Sequence, residues 1–277
     1  MAIWRVQTAE GPRVARGPVD GGPVELLEGT LDSLLAAGSL DAPATGPVPA
    51  GAVILAPVEG QEVWAAGVTY AVSRSARNDE SKGQHDFYDK VYDAERPELF
   101  FKAAPGRVRG PGGLIGVRED SGWDVPEPEL ALVISAAGEI LGYTIGNDVS
   151  SRSIEGENPL YLPQAKVYTA SCALGPAIRP IWEVADPLNL AITGTITRAG
   201  SVVWSATTSS AQLHRSLEEL IEHLFRAMDF PYGVILSTGT GIVPELDLTL
   251  TEGDVVRVEI EDVGVLTNPV IRVPPTD

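Results

Sequence analysis

Two glutamates separated by a single residue, Glu127 and Glu129, stand before an apolar run and give the clearest chemical signal in the sequence. Residues two apart on a strand point to the same face, so both carboxylates can enter one site. A second run of strand character ends at Asp148, and a hairpin between the two runs would return this third carboxylate to the glutamates. Three carboxylates without a neighbouring His or Cys favour Mg²⁺, with Mn²⁺ or Ca²⁺ as alternatives, because these hard cations prefer oxygen ligands.

The same spacing is also typical of the solvent-facing side of an edge strand. Pro126 and Pro128 suit such a strand because proline cannot donate a ladder hydrogen bond. Alternating charge on an exposed strand is ordinary. Spacing alone therefore leaves a metal site and an exposed edge strand as alternatives.

The composition is that of a globular protein, with 277 residues of which 44% are apolar and 21% charged. A formal charge of −18, from 20 basic and 38 acidic residues, argues against nucleic acid as a partner because phosphate contact needs a basic surface. Cys172 is the single cysteine, so no intrachain disulfide is possible, and we interpret it as a core residue. No run has the length of a membrane span, and no signal pattern is found. We therefore expect a cytoplasmic protein without a membrane partner.

The N-terminal part alternates short β-like pieces with Gly and Pro. One helix is predicted from Thr30 to about Ala37, with Thr30 as its N-cap. The Pro- and Gly-rich stretch from Ala42 to Ala52 is typical of a loop or linker. We expect residues 1–60 to form a small N-terminal domain and residues 61–277 to form a catalytic domain.

Short strands dominate the rest of the chain, so the predicted fold class is mixed α/β and mainly β. One helix is predicted from the apolar stripe between Leu213 and Met228. His214 and His223 lie on this helix without the i,i+4 spacing of a helical metal pair, and we interpret both as surface residues. The predicted strands are Val63–Val68, Leu99–Lys102, Leu130–Ser135, Leu141–Asn147, Leu188–Arg198, Leu246–Leu250 and Val255–Ile260.

Several motifs occur in an order that resembles the fumarylacetoacetate hydrolase superfamily, from about Val63 to Val270. They are Glu98–Lys102, Glu127–Ala131, Gly142–Arg152, Lys166, Gly253–Val256 and Gly264–Val270. The resemblance implies a mixed β-sandwich roll, a homodimer or homotetramer, and a divalent metal held by Glu127, Glu129 and Asp148. It also implies that Lys166 is an active-site lysine and that Thr240 contacts the substrate.

One departure from the superfamily pattern bears on the reaction. Hydrolases of the superfamily carry a His, and a Glu three residues later, after an Asn-Tyr pair, and use them to activate water. Here Thr69 and Tyr70 occupy the pair, and Ser73 and Ala76 stand where the His and Glu are expected. The hydrolytic dyad is therefore absent.

Two further segments, Glu95–Lys102 and Asn158–Lys166, are similar to the 2-keto-3-deoxy-D-arabinonate dehydratases within the superfamily. This resemblance implies that the substrate is a small 2-keto acid and the product 2-oxoglutarate semialdehyde. The residues it implies are Ser73, Glu98 and Lys166 as catalytic side chains, and Lys102, Gln164 and Thr240 as substrate contacts.

In the expected chemistry, Lys166 takes a proton from C3 or stabilises the enolate. Glu98 protonates the C4 hydroxyl as it leaves, and Ser73 orients that hydroxyl or a water molecule. The non-catalytic alternatives are that Lys166 is a surface residue and that Glu98 forms an ion pair with Arg96 or Lys102.

Two other functions remain open from the sequence. One is hydrolysis of a carbon–carbon bond in an acylpyruvate or related β-diketo acid, with His85 or a metal-activated water in place of the missing dyad. The other is a non-catalytic, ligand-binding member of the superfamily.

Overall fold

The computed structural model describes residues 1–71 and 91–274. The helices are α1 (Leu31–Ala36), α2 (Arg152–Glu157), α3 (Leu162–Lys166) and α4 (Leu217–Phe225). The strands are β1 (Ala2–Thr8), β2 (Gly11–Gly17), β3 (Glu25–Leu27), β4 (Ala44–Pro47), β5 (Val53–Leu55), β6 (Glu62–Gly67), β7 (Glu98–Ala103), β8 (Val108–Arg109), β9 (Ile115–Arg118), β10 (Asp124–Val125), β11 (Pro128–Ile134), β12 (Ile140–Asp148), β13 (Ser150–Ser151), β14 (Cys172–Pro180), β15 (Ala191–Arg198), β16 (Ser201–Ser209), β17 (Val234–Ser237), β18 (Val255–Ile260) and β19 (Gly264–Val273). No helix in the described ranges is long and apolar enough to cross a membrane.

The larger sheet has 12 strands, ten of which follow the order β4-β3-β2-β1-β14-β12-β11-β17-β6-β7. Strand β5 also pairs with β1, and β8 with β14. Most pairs are antiparallel, but β17 runs parallel to β6 and β14 parallel to β8. Strands β11 and β12 form a hairpin near the middle of this sheet, with Pro128 opposite Asn147.

A second sheet of five strands, in the order β16-β15-β18-β19-β9, packs on the larger one. Strand β11 explains why, because its alternate residues face two different cores. Leu130 and Leu132 join the cluster that contains Ile192 of the smaller sheet, whereas Ala131 and Val133 join a cluster on the opposite face. The predicted mixed, mainly β sandwich is confirmed.

The N-terminal strands β1–β5 continue the larger sheet rather than forming a separate one. Leu27 and Leu35 from this part share a core cluster with Val63 and Ile235. The predicted helix is confirmed as α1, where the Thr30 side chain accepts a hydrogen bond from the Ser33 backbone in a capping box. A domain boundary near residue 60 remains a prediction.

Most predicted strands are present with ends shifted by one or two residues, but a strand at Leu246–Leu250 is wrong. Residues 246 and 247 form a turn, where the Leu248 N–H donates to the Glu245 carbonyl at 3.0 Å. Leu246 is 67% exposed, whereas Leu250 is buried and donates its N–H to the Asp124 carbonyl. The alternation of apolar residues in this segment therefore belongs to an irregular stretch of chain that is held to the core at Leu250.

The predicted C-terminal helix is shorter than its apolar stripe. The Ser216 side chain accepts a hydrogen bond from the Glu219 N–H at 3.1 Å, so α4 begins at Leu217. Leu213 and Met228 lie outside the helix but still pack on the core. The imidazole of His214 is exposed, as expected, and that of His223 is half-buried against the Glu219 carbonyl.

Candidate active site

The three predicted metal ligands lie together at one end of the β11–β12 hairpin. Glu127 precedes β11, Glu129 is its second residue and Asp148 ends β12. One oxygen from each carboxylate lies within 4.8 Å of the other two, and all three side chains are buried. Because β11 is paired with β12 on one side and β17 on the other, the exposed edge-strand alternative is wrong.

Lys166 is the side chain most closely associated with these carboxylates. Its Nζ lies 2.8 Å from Glu127 Oε2 and 3.3 Å from Asp148 Oδ2, and donates to Ser150 Oγ at 2.6 Å. The side chain is fully buried, so the surface-lysine alternative is wrong. Helix α3 ends at Lys166 and thereby places the ammonium group beside the ligand oxygens.

Two further buried cations contact the oxygens of Glu127 and Asp148 that Lys166 does not contact. Arg152 Nη2 donates to Glu127 Oε1 at 2.7 Å. Lys102 forms an ion pair with Asp148 Oδ1 and donates to the Val149 carbonyl at 3.1 Å. These contacts orient the acidic side chains and offset their mutual repulsion.

Glu129 is the carboxylate with the least favourable electrostatic surroundings. Burial raises the pKa of Glu129 well above its ordinary value, the negative charges of Asp148 and Glu127 raise it further, and Lys166 opposes them. The Gly239 N–H donates to its Oε2 at 2.9 Å. Burial and repulsion therefore disfavour the charged form of Glu129, and a divalent cation would offset both effects. The three closely spaced carboxylates fit an oxygen-bound metal.

A small cavity opens onto the carboxylates, and Glu98, which is not found among the described residues of its lining, adjoins the lining residue Gly67. Gly67, Val68 and Phe100 form part of its lining, together with the acidic cluster, Arg152 and Lys166. Gly67 pairs with Glu98 across β6 and β7, and a Cβ atom at Gly67 would lie 2.0 Å from Glu98 Oε2. The Glu98 carboxylate therefore lies directly against the cavity wall.

The predicted substrate contacts lie at different distances from this cavity. Thr240 lines it and donates from Oγ1 to the Pro128 carbonyl at 2.9 Å. Among the described residues of the lining, Lys102 and Gln164 are not found: Lys102 lies behind Asp148, and Gln164 is exposed on α3. Ser73 and His85 lie outside the described residues, so their roles stay predictions.

Sequence reasoning missed Arg152 and Ser150 as site residues, although both lie within a motif that had been noticed. They follow Asp148 by four and two positions: Ser150 begins β13, and Arg152 is the first residue of α2. A basic residue four positions after a ligand carboxylate was the available signal. The direction of the Arg152 side chain could not be predicted because it depends on the start of α2, where Ser151 is the N-cap.

Comparison with known proteins identifies the family. A family model described as the fumarylacetoacetate (FAA) hydrolase C-terminal region matches residues 62–271. The chain belongs to the fumarylacetoacetate hydrolase family. The matched range contains every residue of the cavity named above.

Within the fumarylacetoacetate hydrolase family, the chain is similar to proteins named as sugar-acid dehydratases. It is 52% identical over 217 residues to a probable 2-keto-3-deoxyxylonate dehydratase of Haloferax volcanii, a match that covers 78% of this chain and 74% of the relative. It is 46% identical over 220 residues to the 2-dehydro-3-deoxy-D-arabinonate dehydratase of Saccharolobus solfataricus, with the same coverage of 78% and 74%.

A solved structure extends this likeness to the whole chain. The structure of 2-keto-3-deoxy-D-arabinonate dehydratase complexed with magnesium and 2,5-dioxopentanoate superimposes with a TM-score of 0.87 at 37% identity. The match covers 98% of this chain and 99% of that one. The N-terminal strands β1–β5 are therefore part of the shared architecture.

Proposed function

We propose that this protein is a hydro-lyase that converts 2-keto-3-deoxy-D-arabinonate into 2-oxoglutarate semialdehyde and water. The observation that carries the proposal is the meeting of three buried carboxylates with the buried amine of Lys166 at one small cavity. The two named dehydratases and the magnesium-bound structure support it. We further propose a homodimer or homotetramer that acts in the cytoplasm.

Glu127, Glu129 and Asp148 are the residues that would hold Mg²⁺, or alternatively Mn²⁺ or Ca²⁺. A cation bound there would polarise the 2-keto group and stabilise negative charge on its oxygen. The protein's part is to fix the ligand oxygens through Lys102, Arg152 and the Gly239 N–H.

Lys166 Nζ is the group that removes the first proton, from C3 of the substrate. It is placed for this role because it already contacts oxygens of Glu127 and Asp148, beside which the keto acid would bind. The side chain is fully buried, and the centroid of the Phe100 ring lies 5.7 Å from the same nitrogen. Paired with two carboxylates the nitrogen is an ammonium group, and a divalent cation on those carboxylates would favour the neutral amine that proton removal requires.

Glu98 then protonates the C4 hydroxyl, which leaves as water and gives the 3,4-alkene. Its carboxyl group lies against Gly67, which lines the cavity. Moving one proton from C5 to C3 and tautomerising the resulting enol produces the aldehyde. Ser73 remains the proposed residue that orients the leaving hydroxyl.

The decisive experiment incubates the purified chain and Mg²⁺ with 2-keto-3-deoxy-D-arabinonate and, separately, with an acylpyruvate. We expect 2-oxoglutarate semialdehyde from the first substrate and no cleavage of the second. Lys166→Met should abolish turnover, whereas Arg226→Met, which removes a positive charge at an exposed position after α4, should leave it nearly unchanged. Cleavage of the acylpyruvate without action on the deoxy acid would reject the proposal in favour of C–C hydrolysis.

A further inference from the structure

Strand β16 (Ser201–Ser209) is an edge strand that lacks two of the features that usually prevent strand addition, proline and charge, although a bulge at Val203 interrupts its register with β15. It has nine residues and, within the described ranges, pairs only with β15. The other strands that end the two main sheet orders are interrupted or charged: β4 ends at Pro47, β9 ends at Arg118, and β7 contains Glu98 and Lys102. Strand β16 contains neither proline nor a charged residue.

The charge around β16 is also unusual for this protein. Residues 187–217 contain no Asp or Glu, although 38 of the 277 residues in the chain are acidic. A chain with a net charge of −18 repels its own copies over most of its surface, so a contact between copies is most favourable where acid is absent. The acid-free segment includes the whole of β16.

The side chains of β16 suit contact with another strand. Val202 is 64% exposed and Val203 41% exposed, so both offer apolar area. The hydroxyl groups of Ser205 and Thr207 already bond to those of Thr195 and Thr193 of β15, at 3.1 and 2.9 Å. Covering this strand would therefore leave few side-chain polar groups without partners.

We propose that β16 pairs antiparallel with β16 of a second copy of this chain across a twofold axis. An antiparallel pair of identical strands is self-complementary, as a closed twofold contact requires. A nine-residue strand offers an edge roughly 30 Å long, and pairing would join two five-stranded sheets into one continuous sheet. This inference rests on the homo-oligomer proposed above and places one of its interfaces.

The test compares two doubly substituted variants by sedimentation velocity. Val202→Glu with Ser205→Glu adds two acids per copy at the proposed contact. Val24→Glu with Val53→Glu makes the same charge change at two exposed positions, 55% and 61% exposed, away from β16. We expect the wild type and the second variant to have the same mass, and the first variant to have half that mass. An unchanged mass of the first variant, or a monomeric wild type over a wide concentration range, would overturn the proposal.

Further readouts separate folding, function and assembly. Far-UV circular dichroism and the melting temperature show whether the variants fold, and turnover of the deoxy acid reports the proposed function separately from assembly. Amide hydrogen exchange supplies a test without substitutions: exchange in Ser201–Ser209 should slow as the protein concentration rises through the association range. Exchange that is independent of concentration while the mass doubles would place the interface elsewhere and refute the proposal.

Discussion

Replacement of Asp124 by Asn tests how the fold tolerates a buried carboxylate outside the metal cluster. Asp124 begins β10, opposite Ser151 of β13, and is 3% exposed. Its Oδ1 has no hydrogen-bond partner within the part of the chain that the structure describes. Burial raises the pKa of Asp124 from 3.8 to about 6, against smaller opposing effects from the Ser121 hydroxyl and Arg118.

The sign and size of the effect follow from this difference in pKa. Because the folded-state pKa lies above the unfolded one, the protonated carboxyl favours folding, and this contribution is lost as the pH rises through 6. A pKa change from 3.8 to about 6 corresponds to about 3 kcal/mol over the full titration. Between about pH 4.5 and pH 8 the linkage relation gives about 2 kcal/mol. Asn cannot ionise, so the variant lacks this loss.

The assay is urea unfolding of both proteins at the two pH values. We expect the free energy of unfolding of Asp124→Asn minus that of wild type to be about 2 kcal/mol larger at pH 8 than at pH 4.5, so the variant is relatively more stable at pH 8. Asp120→Asn is the matched control of opposite sign, because the Arg118 hydrogen bond lowers the pKa of the exposed Asp120. A difference between Asp124→Asn and wild type that does not change with pH would refute the reasoning.

Three other changes test the site and the core. Gly67→Ala should lower kcat, because the added Cβ would lie 2.0 Å from Glu98 Oε2 and displace that carboxylate. The affinity for Mg²⁺, measured by calorimetry, should not change. An unchanged kcat would contradict a role for Glu98. Lys102→Met should destabilise the fold by roughly 3–5 kcal/mol in urea, because the buried Asp148 keeps Lys166 but loses the cation on its other oxygen. Mg²⁺ should restore part of this stability, and equal stability of variant and wild type without metal would argue against the pairing. Burial raises the pKa of Cys172 to about 12, so a disulfide reagent at pH 8 should modify the thiol only after unfolding, and rapid labelling of the folded protein would contradict this.

Much of the candidate site could be predicted because its parts are close in sequence. The period of two in a strand placed Glu127 and Glu129 on one face, and the short connection after Ile134 returned Asp148 to them. Both steps depend on local hydrogen bonding, which the order of residues largely specifies. The same locality explains why α1 and its Thr30 cap were predicted correctly.

One strand was predicted wrongly because packing overrides local pattern. Leu246–Leu250 alternates like a strand, but residues 246 and 247 form a turn, and the segment bonds to β10 through the Leu250 N–H at its end. Lys102 was predicted as a substrate contact from its motif, whereas the structure places its ammonium group behind Asp148. Whether it also affects the substrate remains a prediction, because a motif names a residue but not the direction of its side chain.

The sequence by itself determined the strand pattern, the acidic ligand set and the absence of the hydrolytic His and Glu, because these follow from residue types and short spacings. Only the tertiary structure decided how the buried charges are matched. Lys166 meets Glu127, and the Gly239 N–H meets Glu129, across long stretches of chain. Such contacts are set by the order of strands in the sheet, which brings together residues that no local spacing relates.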